Sequence, residues 1–169
     1  MITVLRYGHR PGRDKRTTTH VGLVARAFGA DRFVLAGNDK TPIKTINDVN
    51  KNWGGNFECI SVKNWRKYLK NFKGVKIHLT MYGMPYMSVI PTLRKSKEDL
   101  LIFVGAEKVP IDVYTICDYN VSVGTQPHSE IGALAVFLEK LSLDVSKKFE
   151  GAKLKIEPKA KGKSVVKLY

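Results

Sequence analysis

The fold is decided by residues 99–141, which read DLLIFVGAEKVPIDVYTICDYNVSVGTQPHSEIGALAVFLEKL. Leu100–Val104 is an unbroken apolar run, typical of a strand buried on both faces, and it ends at a glycine-bearing loop. A second strand, Asn120–Val123, ends at another such loop, and Ser129 is a suitable N-cap for the apolar helix that follows. Because ligands of open α/β sheets lie beyond the carboxyl ends of strands, the two loops together predict one small-molecule site. Either glycine alone would be explained by a tight turn.

The rest of the chain alternates strands with helices. The apolar periodicity predicts strands at Ile2–Tyr7, Arg32–Ala36, Phe57–Ser61 and from Val75 to an end at 82–85, and helices at His20–Phe28, Thr41–Trp53, Trp65–Phe72, Ser88–Lys95 and Ser129–Leu141. Thr17–Thr19 are expected to cap the first of these helices. The alternation predicts an α/β fold with a mainly parallel sheet.

The charge of the chain is its strongest compositional signal. Lysine and arginine number 29 against 15 acidic residues, a net charge of +14, which suits a phosphate-backbone partner. No segment approaches the roughly 18 apolar residues of a membrane span, and the N-terminus lacks the layout of a signal peptide. Cys59 and Cys117 have no metal-ligand spacing, which favours two ordinary thiols in the cytoplasm. We therefore expect no membrane and no metal among the partners.

The last residues differ in character from the rest. Residues 147–169 carry eight lysines against Glu150 and Glu157. The apolar pairs Leu154–Ile156 and Val165–Val166 predict a hairpin around Gly162. We therefore divide the chain into a main domain, 1–146, and a basic C-terminal extension, 147–169, that faces RNA. A frayed, solvated end is the alternative.

The two glycine loops resemble those of a known superfamily. A G-x-E sequence after a hydrophobic strand, and a serine opening an alanine-rich helix, are similar to the cofactor half of the SPOUT (trefoil-knot) RNA methyltransferases. VGAEKVP (104–110), VGTQPHSE (123–130) and LRYGHRPGRDKRTTTHVGLVARAFGAD (5–31) resemble the family of archaeal tRNA (cytidine-56) ribose 2'-O-methyltransferases over nearly the whole chain.

This resemblance implies the fold, the reaction and the partners. The fold would have helices on both faces of the sheet and a C-terminal trefoil knot, with 99–141 threaded through an earlier loop. The protein would be a homodimer with S-adenosyl-L-methionine as its cofactor and tRNA as its substrate. The methyl group would go to the ribose 2'-hydroxyl of cytidine 56 in the T-loop. No metal or redox group is needed for that displacement.

The resemblance also implies a cofactor site lined largely by backbone. Small residues and glycines suit such close contact. The implied cofactor-binding residues are Leu79, Gly105, Ala106, Glu107, Lys108, Val109, Val123, Gly124, Thr125, Gln126, Pro127, His128, Ser129 and Glu130.

The catalytic residues transfer less directly. Ribose-methylating relatives use an arginine that follows an asparagine, ahead of a Phe-Gly pair. Phe28–Gly29 is present here, but Thr17 and Leu23 stand where that asparagine and arginine would fall. We expect Arg13 and Arg16 to replace them. Since a guanidinium is effectively always protonated, its expected role is to bind a phosphate and stabilise the developing alkoxide, not to act as a base.

Ser129 matches the serine of the third family motif and is expected to orient the hydroxyl, while also serving as an N-cap. A Ser–His hydrolase using His128 is disfavoured because adjacent residues rarely face each other and no G-x-S-x-G elbow exists. Two alternatives to the ribose methyltransferase stay open. One is a SPOUT enzyme that methylates a base of tRNA or rRNA. The other is a non-catalytic RNA-binding protein, which explains the charge but not the paired glycine loops.

Overall fold

A mainly parallel sheet forms the centre of the molecule in the computed structural model, which describes residues 1–106, 108–141 and 149–168. In chain order the elements are β1 (Ile2–Tyr7), α1 (Lys15–Ala27), β2 (Arg32–Ala36), α2 (Thr41–Trp53), β3 (Glu58–Val62), α3 (Trp65–Asn71), β4 (Val75–Pro85), α4 (Tyr86–Lys95), β5 (Leu100–Gly105), α5 (Ile111–Ile116), β6 (Tyr119–Ser122), α6 (Glu130–Leu141), β7 (Leu154–Glu157) and β8 (Ser164–Lys167). Among the described residues six strands pair in the order β3-β2-β1-β5-β4-β6, all parallel. The predicted parallel α/β fold is confirmed, while the trefoil knot stays a prediction of the resemblance.

Helices cover both faces of this sheet. On one face α1, α2, α4 and α6 bury apolar side chains such as Ile46 and Phe137 against the strands. On the other face α3 and α5 contribute Leu69 and Val113. The central strand β5 is buried on both sides, as its unbroken apolar run predicts. Within the described residues, no helix is long and apolar enough to span a membrane.

The prediction of the first helix was wrong at its start. α1 begins at Lys15, so Thr17–Thr19 lie inside the helix instead of capping it. The hydroxyl of Thr19 donates to the carbonyl oxygen of Lys15 at 2.8 Å, and that of Thr18 contacts the imidazole of His9. Because these hydroxyls find partners within the helix and on a neighbouring loop, the threonines need not occupy a cap.

The fourth strand ends at Pro85, within its predicted end at 82–85. It contains a register shift against β6 between Leu79 and Met84. Gly83 makes this possible because a Cβ at that position would overlap the backbone of Asn120 and Val121. The segment 80–83 therefore bulges from the ladder at the carboxyl end of the sheet.

The C-terminal hairpin is confirmed: β7 and β8 pair in antiparallel fashion. Its base contacts the end of α2, where the Gly55 amide donates to the Glu150 carbonyl at 2.8 Å and the Lys153 amide donates to the Asn52 carbonyl at 2.9 Å. Gly54, at a φ of 73°, leaves room for this contact, since a Cβ there would overlap the backbone of the hairpin base. The predicted boundary at 146/147 lies outside the described residues, and the division into two units stays a prediction.

Candidate functional site

A cavity of about 540 Å³ opens at the carboxyl ends of β4, β5 and β6, beside the start of α6. Both glycine loops contribute to its walls, as the position of loops in parallel sheets predicts. The cavity brings together these residues of the implied cofactor site: Leu79, Gly105, Ala106, Lys108, Val109, Val123, Gln126, Pro127, His128 and Glu130.

The remaining implied residues do not line the cavity. Gly124, Thr125 and Ser129 lie on the loop beside it and are exposed. Glu107 is outside the described residues. The cofactor-binding role of the whole set therefore stays a prediction.

Further lining residues escaped the sequence reasoning. They are His78, Thr80, Met81, Tyr82, Val104, Tyr114, Val121 and Ala133. Thr80, Met81 and Tyr82 belong to the bulge of β4, so the rule that sites form at carboxyl ends of strands could have found them. Tyr114 comes from α5, a one-and-a-half-turn helix that the apolar pattern did not reveal.

The loop between β6 and α6 is closed by its own histidine. The imidazole Nε2 of His128 contacts the carbonyl oxygen of Val123, and its Nδ1 lies 3.0 Å from the carbonyl oxygen of Ser129. The Oγ of Ser129 accepts a hydrogen bond from the Ile131 amide at 3.2 Å, which confirms the predicted N-cap. His128 thus contacts backbone carbonyls at both ends of the loop and stabilises its closed shape.

One wall of the cavity is organised by a buried histidine. The Nδ1 of His78 lies 2.9 Å from Oδ1 of Asn120, whose Nδ2 donates to the Tyr114 carbonyl at 2.9 Å. Because this carboxamide oxygen is an acceptor, the imidazole carries its proton on Nδ1. Burial lowers the pKa of His78, against the opposing effect of the Asn120 hydrogen bond, so the ring is held neutral. Its position favours a structural role.

Arg6 contacts two cavity-lining residues from inside the sheet. Its side chain is 1% exposed. Its Nη1 donates to the Gly105 carbonyl at 2.9 Å and its Nη2 to Oε1 of Glu130 at 2.8 Å. Sequence reasoning passed over this residue, although a charge within the apolar run ITVLRY was a signal that a buried ion must find partners.

The basic loop after β1 is held in a fixed shape. The carboxylate of Asp14 accepts from the Arg10 amide at 3.2 Å and from its Nε at 2.9 Å, and the side-chain hydrogen bond is the main cause that lowers the pKa of Asp14. His9 contacts Oγ1 of Thr18 at 2.8 Å and Oδ2 of Asp39 at 2.9 Å. The hydrogen bond from His9 and those from Thr41 lower the pKa of Asp39 to about 2. His9 is therefore an anchor of the loop.

The expected catalytic arginines lie on this loop and on the first turn of α1. Both Arg13 and Arg16 are exposed, and Nε of Arg13 is 3.7 Å from the Asp14 carboxylate. Neither lines the cavity of its own chain. Their catalytic role therefore stays a prediction.

Metal-ligand types do not cluster in the described part of the chain, where no group of three or more His, Cys, Asp and Glu side chains could hold a metal ion. Cys59 and Cys117 are free and far apart in the sequence. Burial raises the pKa of each thiol to about 12, as expected of unreactive cysteines.

Solved structures share the fold at low sequence identity. The SpoU methyltransferase AviRb from Streptomyces viridochromogenes, crystallised with AdoMet, superposes with a TM-score of 0.55 and 15% identity over 83% of this chain and 56% of that one. The AdoMet-bound rRNA methyltransferase from Sinorhizobium meliloti gives a TM-score of 0.56 and 11% identity over 83% of this chain and 54% of the other. The present chain thus spans about half the length of these structures.

Relatives found by sequence have much higher identity to this chain and match nearly its whole length. The tRNA (cytidine(56)-2'-O)-methyltransferase of Pyrococcus horikoshii is 54% identical over 99% of this chain and 86% of its own length. That of Methanocaldococcus jannaschii is 48% identical over 99% and 97%. The family model of the tRNA ribose 2'-O-methyltransferases, aTrm56, matches residues 53–166. With the resemblance of the glycine loops confirmed, the chain belongs to the tRNA ribose 2'-O-methyltransferase family, aTrm56.

Proposed function

We propose that the protein transfers a methyl group from S-adenosyl-L-methionine to the ribose 2'-hydroxyl of cytidine 56 in the T-loop of tRNA. The observation that carries this proposal is the cavity formed by the two glycine loops in a chain of this family. The net charge of +14 supports an RNA substrate. The cytoplasm stays the predicted compartment.

The cavity suits the cofactor in size and chemistry. Its volume of about 540 Å³ is typical of small-molecule sites. Leu79, Val109 and Val123 offer apolar contacts, and the glycine-bearing segments at 105 and 123–128 offer backbone groups. When bound, the cofactor supplies a methyl group on a positively charged sulfur. The task of the chain is then to align the ribose hydroxyl with that methyl group and to help the hydroxyl lose its proton.

Arginines from the basic loop are proposed to act on the ribose. A guanidinium from Arg13 or Arg16 would bind the adjacent phosphate and stabilise the negative charge that develops on the 2'-oxygen. Both side chains are exposed, so they are available to RNA. Ser129 stands at the start of α6 beside the cavity, and its hydroxyl can orient the acceptor while its oxygen caps the helix.

A homodimer would complete this site. No arginine lines the cavity within the described residues, so a second copy could supply Arg13 or Arg16 from its own basic loop. Apolar side chains are exposed on β4, α4 and α6: Met84 (60% exposed), Met87 (57%) and Val136 (41%). Exposed apolar groups of this kind favour association, and the family resemblance implies a dimer.

The reaction is tested by following tritiated methyl transfer to unmodified tRNA and mapping the product nucleoside by mass spectrometry. The expected product is 2'-O-methylcytidine at position 56. A matched tRNA with 2'-deoxycytidine at that position should accept no methyl group. Methylation that survives the deoxy substitution would identify a base-methylating enzyme, and binding of RNA without any cofactor binding would identify a non-catalytic protein.

The shared site is tested by mixing two inactive variants. Arg16→Ala keeps the cavity, whereas Gly105→Val fills it with a side chain and keeps the arginine. If the arginine acts on the partner's cavity, mixed dimers contain one working site and the mixture recovers about one quarter of wild-type turnover. No recovery, together with a monomer in light scattering, would refute the shared site. The same test with Arg13→Ala identifies which arginine acts.

A further inference from the structure

Arg6 is an ionised side chain inside the sheet, with 1% of it exposed. Burying a charge is unfavourable unless hydrogen bonds and a counter-ion compensate. Gly105 and Glu130 supply both, yet the Nε of Arg6 finds no partner among the described residues. A well-packed apolar residue would often stabilise such a position as much or more. Stability alone therefore does not account for an arginine here.

The two partners of Arg6 belong to different walls of the cavity. Gly105 ends β5, and Glu130 begins α6 after the loop that His128 closes. Both residues line the cavity. The Arg6 guanidinium is planar and presents its donors in a rigid fork, so its two hydrogen bonds fix the distance between these walls.

We propose that Arg6 is a positioning residue that joins the two glycine loops into one cofactor-binding wall. It holds the carbonyl of Gly105 and the carboxylate of Glu130 from beneath, without needing to touch the ligand. This inference rests on the proposed binding of S-adenosylmethionine. It assigns to β1, a strand that contributes no lining residue among those described, a direct effect on cofactor affinity.

The chain contains a matched control for this role. Arg26 is also buried, and it donates from Nε to Asn50 at 2.7 Å and from Nη2 to the Gly54 carbonyl at 2.6 Å. Its contacts hold the end of α2, and it does not line the cavity. Arg6→Lys and Arg26→Lys each keep the charge and lose the fork. Both should lower thermal stability, but only Arg6→Lys should change the cavity.

The test measures binding of S-adenosylhomocysteine, which allows no turnover, by titration calorimetry. Because two hydrogen bonds to or from a charged group are weakened, Arg6→Lys should reduce the affinity by about tenfold or more. Arg26→Lys should stay within about twofold of wild type. Equal losses in both variants, or no loss in Arg6→Lys, would overturn the proposal.

Glu130→Gln gives a second test, which can be carried out even if Arg6→Lys does not fold. Hydrogen exchange of the peptide around 100–106, measured without ligand, should become faster in Glu130→Gln because Arg6 loses its counter-ion and holds Gly105 less firmly. An unchanged exchange rate would overturn the inference. A double variant should bind no more weakly than the weaker single variant, whereas additive losses would show that the residues act separately.

The outcomes also separate this inference from the proposed function. Wild-type protein that binds no S-adenosylhomocysteine would refute the proposed function, while the hydrogen-exchange measurement would still report on the contact of Arg6 with the loops. Wild-type binding with unchanged variants would refute the role of Arg6 alone.

Discussion

Neutralising lysines of the C-terminal hairpin should weaken tRNA binding and its dependence on salt. We choose Lys155, Lys159 and Lys163 for replacement by glutamine, because all three are exposed. This substitution disturbs the rest of the fold less than a removal of residues 147–169 would. The base of the hairpin covers Gly54 and Gly55, and the guanidinium of Arg26 lies 4.3 Å from the ring of Phe149, so a truncation would also disturb α2 and the buried arginine.

The size of the effect follows from counterion release. Each phosphate contact contributes about 0.7 to 0.9 to the slope of log affinity against log salt, so losing three contacts should reduce the slope by about 2 to 3. Between 50 mM and 200 mM salt, wild type should then lose affinity about 20- to 40-fold more than the variant. Affinity for S-adenosylhomocysteine should not change, because the hairpin does not line the cavity.

The assay is filter binding of unmodified tRNA over a series of salt concentrations. The control variant replaces Lys67, Lys70 and Lys73 by glutamine, which changes the charge equally on and beside α3, the helix that packs on the opposite face of the sheet from α2. Equal slopes in the two variants would mean that the total charge matters and the hairpin surface does not. A loss of cofactor binding in the hairpin variant would mean that the hairpin supports the cofactor site and is not a separate RNA-binding extension.

Three further predictions concern residues packed within the fold. Gly83→Ala should lower the free energy of unfolding in urea by about 1–3 kcal/mol, because its Cβ would meet the backbone of Asn120; an unchanged midpoint would refute the close approach. Cys117 is buried and Cys59 is half-buried, and burial raises the pKa of each thiol to about 12; both should react with Ellman's reagent at pH 8 far more slowly in the native protein than after denaturation, and rapid labelling of the native protein would contradict the raised pKa values. Burial lowers the pKa of His78 from 6.5, so the unfolded state binds a proton at this residue first as the pH falls. The contribution of His78 to stability should therefore be full above pH 6.5 and decline below it. A His78→Asn variant that shows the same decline would mean that another group causes it.

The elements that sequence predicted best are those whose pattern has one physical explanation. β5 is an unbroken apolar run, and it lies in the middle of the sheet with both faces covered. α2 begins at Thr41 ahead of a proline and ends at Trp53, just before Gly54, as its start and stop signals predict. The loops at 105 and 124 follow from the rule on carboxyl ends of strands, and they do form one cavity.

The failures have a common cause in tertiary contact. Local signals placed the start of α1 after Thr19, but Thr18 is buried and bonded to His9, which lies on the preceding loop and is brought to the helix only by the fold of that loop. The register shift of β4 between Leu79 and Met84, which the sequence pattern did not predict, lies where the backbone of β6 approaches Gly83. Arg6 looked like one charge in a strand, and only the folded chain brings Gly105 and Glu130 to it.

The absence of arginine from the described cavity lining has a consequence for the proposed reaction. The cavity is built at the β4, β5 and β6 side of the sheet, whereas Arg13 and Arg16 follow β1 and remain exposed to solvent. The proposed cofactor carries a positively charged sulfur, and guanidinium groups that lie outside the cavity repel it less, since like charges repel. The phosphates of the bound RNA can neutralise those arginines and hold their guanidinium groups near the ribose. Under the proposed function, the site becomes complete only when tRNA and a second copy of the chain are both in place.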